Sequence, residues 1–343
     1  MINAGRGPMA QSPASASERI GLLVVNLGTP NSPSYFAVRL FLREFLGDRR
    51  VIDTSRLIWM PILYGIVLPF RSIRTARNYR RVWMQGGSPL YVYSKRLVEK
   101  MEVQLHSRFG SKVSVALGMT YGRPSLAQAI QSLVDQGARK LLVLPLYPQY
   151  CSSTTGSVFD RTCRALSRRA WQPDTRFING YFDDPGYIKS LTASILDHWE
   201  QVGERSHLLL SYHGIPAVYV SEGDPYQAQA ETTTRLVVAG LGLGADDYSH
   251  CYQSRFGSVV WLQPYTEDTL KALIARGVRK VTVVSPSFAV DCLETLEEVA
   301  MEYKNKFQRM GGERLTLVPA LNDEERHVQL LADIAQQHLQ GWL

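Results

Sequence analysis

The sequence predicts an α/β protein with two parallel sheets, because two segments of it are each written twice. The first pair is Gly21-Leu-Leu-Val-Val-Asn-Leu-Gly-Thr-Pro30 and Leu208-Leu-Leu-Ser-Tyr-His-Gly-Ile-Pro216. Each is a short apolar run that stops two residues before a Gly-x-Pro, the pattern of a buried parallel strand ending in a tight loop. The second pair is Gly137-Ala-Arg-Lys140 and Gly277-Val-Arg-Lys280, each leading into a further apolar run that ends at a proline. Before each lies a stretch with apolar residues at helical spacing, 126–136 and 268–276. Helix, Gly-x-Arg-Lys and strand make half of a βαβ unit, so the scaffold is duplicated.

Along the chain, residues 1–18 are rich in Ala, Ser, Gly and Pro without the apolar stretch of a signal peptide, and are expected to be a disordered tail. The domain limits expected are 19–160, 161–318 and a closing helix over 319–343 that packs back on the first domain. From Gly28 to Gly137 the chain runs 109 residues, against 63 from Gly214 to Gly277, so the first half carries an insertion. That insertion contains an uncharged run, 57–70, followed by Arg71, Arg74, Arg77, Arg80 and Arg81. A buried helix with a solvated basic extension is one reading. The other is an apolar lip of Ile58, Trp59, Ile62, Leu63, Ile66 and Val67 resting in a membrane interface, its arginines toward lipid phosphates or clamping carboxylates. No single apolar run reaches the roughly 18–20 residues a bilayer span needs. The hydroxyl-rich loop at 147–157 lacks a phosphate-binding glycine pattern, and is expected to cap the next helix and line a cleft with Tyr147 and Tyr150.

Composition narrows the partners. A net charge of +7 on 343 residues, without a dense basic stripe, argues against nucleic acid. Cys151, Cys163, Cys251 and Cys292 show no metal-site spacing and read as reduced thiols of a cytoplasmic protein.

Two features carry chemistry. His213 ends its strand where the first copy has Leu27, and the strand end is where α/β sheets place ligands. A lone histidine is commonly structural, but neutral imidazole accepts protons and ligates transition metals. If a helix starts near Asp291, then Asp291, Glu294, Glu298 and Glu302 share one face. Asp291 with Glu294 fits a capping box, which leaves Glu298 and Glu302 unexplained. A file of carboxylates leading toward a histidine suits proton relay or the passage of a divalent cation.

These segments, in this order, resemble one family. Val25-Asn-Leu-Gly-Thr-Pro30, Asn78-Tyr-Arg-Arg81, Gly86-Gly-Ser-Pro89, Leu146-Tyr-Pro-Gln-Tyr150, Ser153-Thr-Thr-Gly156, Ser211-Tyr-His-Gly-Ile-Pro216, Cys251-Tyr-Gln-Ser254, Trp261-Leu-Gln-Pro264 and Phe288-Ala-Val-Asp-Cys-Leu-Glu-Thr-Leu-Glu297 are similar to ferrochelatase segments. The similarity runs from about 21 to 339. It implies two Rossmann-like domains facing a central cleft, and insertion of Fe²⁺ into protoporphyrin IX, the last step of haem biosynthesis. It assigns His213 and Glu294 to catalysis and metal handling and matches Glu298 to the next carboxylate along the helix; with Asp291 and Glu302, which share its row by spacing, Glu298 is the expected proton or metal relay. Leu27, Arg80, Ser94, Tyr121, Arg123, Tyr150 and Trp261 are its candidates for holding the porphyrin. Relatives with a [2Fe–2S] centre carry clustered C-terminal cysteines. Here none follows Cys292 and Ser152 stands at one such position, so no cluster and no resident cofactor are expected. The resemblance further implies reversible contact with the inner face of the membrane and with the preceding haem-pathway enzyme. Coproporphyrin ferrochelatase, cobalt chelatase and a non-catalytic porphyrin carrier are the alternatives, and the side from which iron enters stays open.

Overall fold

The computed structural model describes residues 19–257 and 259–343, and the tail expected over 1–18 lies outside them. Among the described residues eight strands form two four-stranded sheets. The strands are β1 (Arg19–Thr29), β2 (Val113–Gly122), β3 (Ala138–Pro145), β4 (Asp174–Phe177), β5 (His207–His213), β6 (Tyr248–Gln253), β7 (Lys280–Val284) and β8 (Arg314–Leu317). The orders are β2-β1-β3-β4 and β6-β5-β7-β8, every pairing parallel. Parallel neighbours need crossovers, and helices such as Leu126–Asp135 and Thr266–Ala275 supply them in corresponding places. The duplication read from two repeated segments is therefore a duplication of whole sheets.

β1 and β5 are the second strand of their sheets and are buried on both faces. Leu22, Leu23, Val24 and Val25 are fully buried, as are Leu208, Leu209 and Leu210. The glycine after each is required by close approach. Gly28 has φ +106°, and a Cβ there would lie 1.7 Å from the carbonyl oxygen of Tyr121. At Gly214 a Cβ would meet the carbonyl oxygen of Gln253 at 2.8 Å and the Trp261 ring at 3.2 Å.

The first sheet extends to β4, which pairs with β3, so the half-way boundary lies beyond 177 and not at 160. A four-residue strand with mixed polarity offers no apolar run by which a sequence would mark it. The last helix, Glu325–Leu339, packs on Pro89–Phe109 and Pro185–Val202. Arg176 donates to the carbonyls of His338 and Gln340 and stacks on Trp342 at 4.1 Å, which holds the chain end in place.

The insertion folds as one helix, Arg56–Val82, with a π-turn at Leu63–Val67. By length and composition this 27-residue helix could cross a bilayer, although no single apolar run within it is long enough. Its inner face is committed to the core. Trp59, Leu63, Leu68, Ala76 and Tyr79 pack with Phe41, Leu42 and Leu46 of the helix Tyr35–Leu46. Trp59 also donates its indole N–H to the carbonyl of Leu46 at 2.7 Å. Trp59 and Leu63 thus leave the expected lip, and Val67 is half-buried against the same cluster. The outer face keeps Ile58, Ile62 and Ile66 and adds Leu57, Phe70 and Ile73, with Leu57 88% and Phe70 71% exposed.

Candidate active site

β5 delivers His213 to the end of the second sheet, and three elements fix it there. Its backbone N–H donates to Ser287 Oγ at 3.1 Å, and Tyr226 donates its hydroxyl to the His213 carbonyl at 2.8 Å. The edge of the ring meets Phe288 with centroids 6.1 Å apart. Nδ1 lies 2.7 Å from the carbonyl oxygen of Gly214. A carbonyl only accepts, so Nδ1 carries the proton and Nε2 of the neutral ring is left with its lone pair. The Gly-x-Pro loop therefore does two jobs: the glycine leaves room for the Gln253 carbonyl and the Trp261 ring, and its own carbonyl selects the tautomer.

After β7 the chain enters the acidic segment, which winds as a π-helix over Glu294–Tyr303. Such turns are uncommon and concentrate at functional sites. Glu298 accepts from Ser254 Oγ at 2.6 Å and from the Tyr303 hydroxyl at 2.9 Å. Burial raises its pKa above the ordinary carboxylate range, opposed by those two bonds and by the charge of His213, with Glu294 adding to the rise. Glu298 thus sits in the electrostatic field of both His213 and Glu294. Arg71 joins them: its guanidinium lies 4.7 Å over the Phe256 ring and feels both Glu294 and Glu298. Glu302, at the far end, is already paired with Lys306 at 3.0 Å and Arg74 at 3.8 Å.

Asp291 is not in this file, which corrects the expected helix start. It lies before the π-helix, 3% exposed, accepting from Thr295 Oγ1 and Asn322 Nδ2 at 2.8 Å each. Its backbone N–H donates to Asn322 Oδ1 at 2.7 Å. Asp291 is a clasp between the segment after β7 and the loop before the last helix. Burial holds the Cys292 thiol well above its ordinary pKa, with Glu294 adding to it, so the thiol keeps its proton and is no ready thiolate ligand. Among the described residues no group of three or more His, Cys, Asp or Glu side chains is arranged to hold a metal ion.

The porphyrin candidates separate by burial. Leu27 is half-buried at the end of β1, packed in the same apolar cluster as Leu293, next to Glu294. Trp261 is half-buried and donates its indole N–H to the carbonyl of Phe256 at 2.8 Å. Arg80 and Arg123 are exposed. Tyr150 is half-buried and lines a polar cavity with Arg50, Asp160, Tyr219 and Asp224. Two candidates are withdrawn. Tyr121 is fully buried, with its hydroxyl on Asp48 at 3.1 Å and Arg161 stacked on its ring at 4.3 Å. Ser94 is fully buried and accepts from Asn26 Nδ2 at 3.0 Å, behind β1. Tyr147 also turns inward to the core, and the hydroxyls of 152–156 wind into a π-turn with no side-chain cap on the next helix.

One residue of the site escaped the sequence reading. Glu297 is buried and accepts from Asn78 Nδ2 at 2.8 Å and Arg81 Nη1 at 2.9 Å. The signal was Asn78-Tyr-Arg-Arg81 itself, a polar motif on a helix that otherwise looks merely basic.

A family model described as Ferrochelatase matches residues 19–339. The chain is 48% identical over 322 residues to the ferrochelatase of Photobacterium profundum, covering 94% of this chain and 98% of the relative. It is 46% identical to that of Marinomonas sp., with the same coverage. Among solved structures, SirB from Bacillus subtilis with Fe³⁺ superposes with a TM-score of 0.56 at 11% identity, over 94% of this chain and 97% of that one. CbiX, the terminal enzyme for biosynthesis of sirohaem in denitrifying bacteria, gives 0.51 at 15% identity, covering 93% of this chain and all of that one. These last two likenesses are of fold.

Proposed function

The chain belongs to the ferrochelatase family, whose enzymes insert ferrous iron into protoporphyrin, and from that premise we propose how its own residues carry the reaction. A free-base porphyrin holds two pyrrole N–H protons, and both leave as Fe²⁺ enters. His213 accepts one of them on Nε2. The observation that carries this assignment is the Nδ1–H bond to the Gly214 carbonyl, which fixes the ring's direction and makes Nε2 the nitrogen that is free to take a proton. Glu294 and Glu298 handle iron and the second proton, and their support is chemical. Carboxylate oxygens suit a divalent ion in transit, and an ion offset by few fixed ligands is released readily. Glu302 is committed to Arg74 and Lys306, so the working pair is Glu294 with Glu298. The porphyrin lies against Leu27 and Trp261, flat apolar surfaces at the ends of β1 and of the loop after β6.

The same reading puts the protein in a reducing cytoplasm, supported by four cysteines that are all free thiols. It rests on the inner face of the membrane through Leu57, Ile58, Ile62, Ile66, Phe70 and Ile73, an exposed apolar row with arginines beside it. A greasy porphyrin is then collected from the bilayer, which favours protoporphyrin over the more charged coproporphyrin.

The decisive experiment is anaerobic, following porphyrin fluorescence and haem absorption with Fe²⁺ and protoporphyrin. His213→Ala should bind porphyrin and insert iron at least a hundredfold more slowly, the usual worth of a positioned base being roughly 10²–10⁴. Near-normal turnover in that variant would remove His213 from the mechanism.

A further inference from the structure

Glu297 sits in the middle of the acidic segment and does not face the same way as its neighbours. Its side chain is 9% exposed, and its two oxygens are held by Asn78 and Arg81, more than 200 positions earlier in the chain. Burial raises its pKa, and the charge of Arg81 opposes that rise. A buried carboxylate is tolerated only where such partners meet it. The partners stand on Arg56–Val82, the helix that also presents the exposed apolar row.

The winding of the segment decides whether this grip exists. An α-helix turns 100° per residue, while the wider i→i+5 turn advances roughly 80°. In either winding Glu294, Glu298 and Glu302 drift by ~40° per step and form a file, and in the π winding Glu297 stands ~120° from Glu294. In an α winding Glu297 would swing by roughly 60° relative to Glu294, toward the face that Glu294 occupies. It would leave Asn78 and Arg81 and place a third carboxylate beside the file.

We propose that Glu297, gripped by Asn78 and Arg81, is a positioning residue that holds 294–303 in its π winding and so sets how Glu294 and Glu298 are presented to iron. The assignment rests on the reading of Glu294 and Glu298 as the acids that handle the metal. Glu297 touches neither substrate. It acts through its neighbours, and it ties their geometry to the helix that bears the apolar surface.

The test is steady-state kinetics under anaerobic conditions, with iron and protoporphyrin varied separately. Glu297→Ala should raise KM for Fe²⁺ by about tenfold, the range that interaction between neighbouring residues spans, while porphyrin affinity by fluorescence quenching is unchanged. Glu297→Gln keeps an acceptor for either donor and should stay within about threefold of the natural protein. Arg81→Met combined with Asn78→Ala breaks the grip from the other side; it leaves the buried Glu297 unpaired and lowers the melting temperature, and below that temperature it should reproduce the iron kinetics of Glu297→Ala. In a Glu298→Gln background Glu297→Ala should add little. Unchanged iron kinetics in the Arg81→Met, Asn78→Ala protein, or a fall in melting temperature alone, overturns the proposal while leaving the reading of Glu294 and Glu298 intact. If Glu294→Gln and Glu298→Gln themselves keep normal iron kinetics, that reading falls and the proposal falls with it.

Discussion

At the scale of single residues, the site sets activity against stability. Glu298 pays most, because a carboxylate is held out of water beside a second one. Its folded pKa is raised, so the folded state favours the protonated form. The sign of the linkage follows. The contribution to stability is fully present below the unfolded value of about 4.3 and is lost as pH rises through the raised folded value. Glu298→Gln has no charge to bury and still accepts from Ser254 Oγ. It should melt about 2 °C or more above the natural protein at pH 8, what roughly 1 kcal/mol gives at this size, with the gap closing toward pH 4. Iron insertion should fall sharply in the same variant. Thermal melts across pH read the first effect and anaerobic turnover the second. A gap that does not change with pH would mean that burial of charge is not the cause. His213 was legible because histidine is rare at a strand end and its repeat lacks it. The tautomer was not, since it depends on one carbonyl 2.7 Å away.

At the scale of elements, the helix Arg56–Val82 is apolar on two faces for two reasons. The 57–70 run announced an apolar segment, yet composition could not say which residues face inward. Trp59 and Leu63 fill the core, while Leu57, Ile58, Ile66 and Phe70 face out. The two faces predict opposite phenotypes. Trp59→Ala opens a cavity and strands the Leu46 carbonyl, and should cost about 3–5 kcal/mol in denaturant unfolding. Leu57→Asp with Ile66→Asp changes only exposed positions and should leave stability within about 0.5 kcal/mol per site. The same pair should reduce sedimentation with anionic phospholipid vesicles by about tenfold or more, since each buried apolar side chain contributes roughly 1.5 kcal/mol or more. Vesicle binding that survives the Asp pair would move membrane contact elsewhere. The π-helix was illegible for a related reason. An α face through Asp291, Glu294, Glu298 and Glu302 fits the spacing well, and what selects the wider turn is Asn78 and Arg81, brought in from the other half.

At the scale of the whole molecule, the two sheets share one strand order, and the sequence showed this wherever the repeats kept their apolar runs. It did not show where one half stops, because β4 is short and polar and belongs to the first sheet. Nor could local pattern say how the halves are tied. The ties are long-range: Glu297 to Asn78 and Arg81, and the last helix lying across both Pro89–Phe109 and Pro185–Val202. That helix buries Val328, Leu330, Leu331, Ala332, Ile334, Ala335 and Leu339. The five larger side chains contribute roughly 1.5–3 kcal/mol each, so together they match the roughly 5–15 kcal/mol that holds a typical protein folded. The helices it covers would also expose their own apolar faces once it is gone. A chain ending after Glu324 keeps both sheets, His213 and the acidic file, and even keeps Asn322 on Asp291. It should nevertheless fail to accumulate as a soluble, cooperatively melting protein. Solubility on expression and a calorimetric scan decide the matter. If the shortened chain melts in one transition within a few degrees of the full one, the last helix is an accessory and the two halves stand without it. If it aggregates, the C-terminal residues are part of the first half's core, and the two halves fold as one unit.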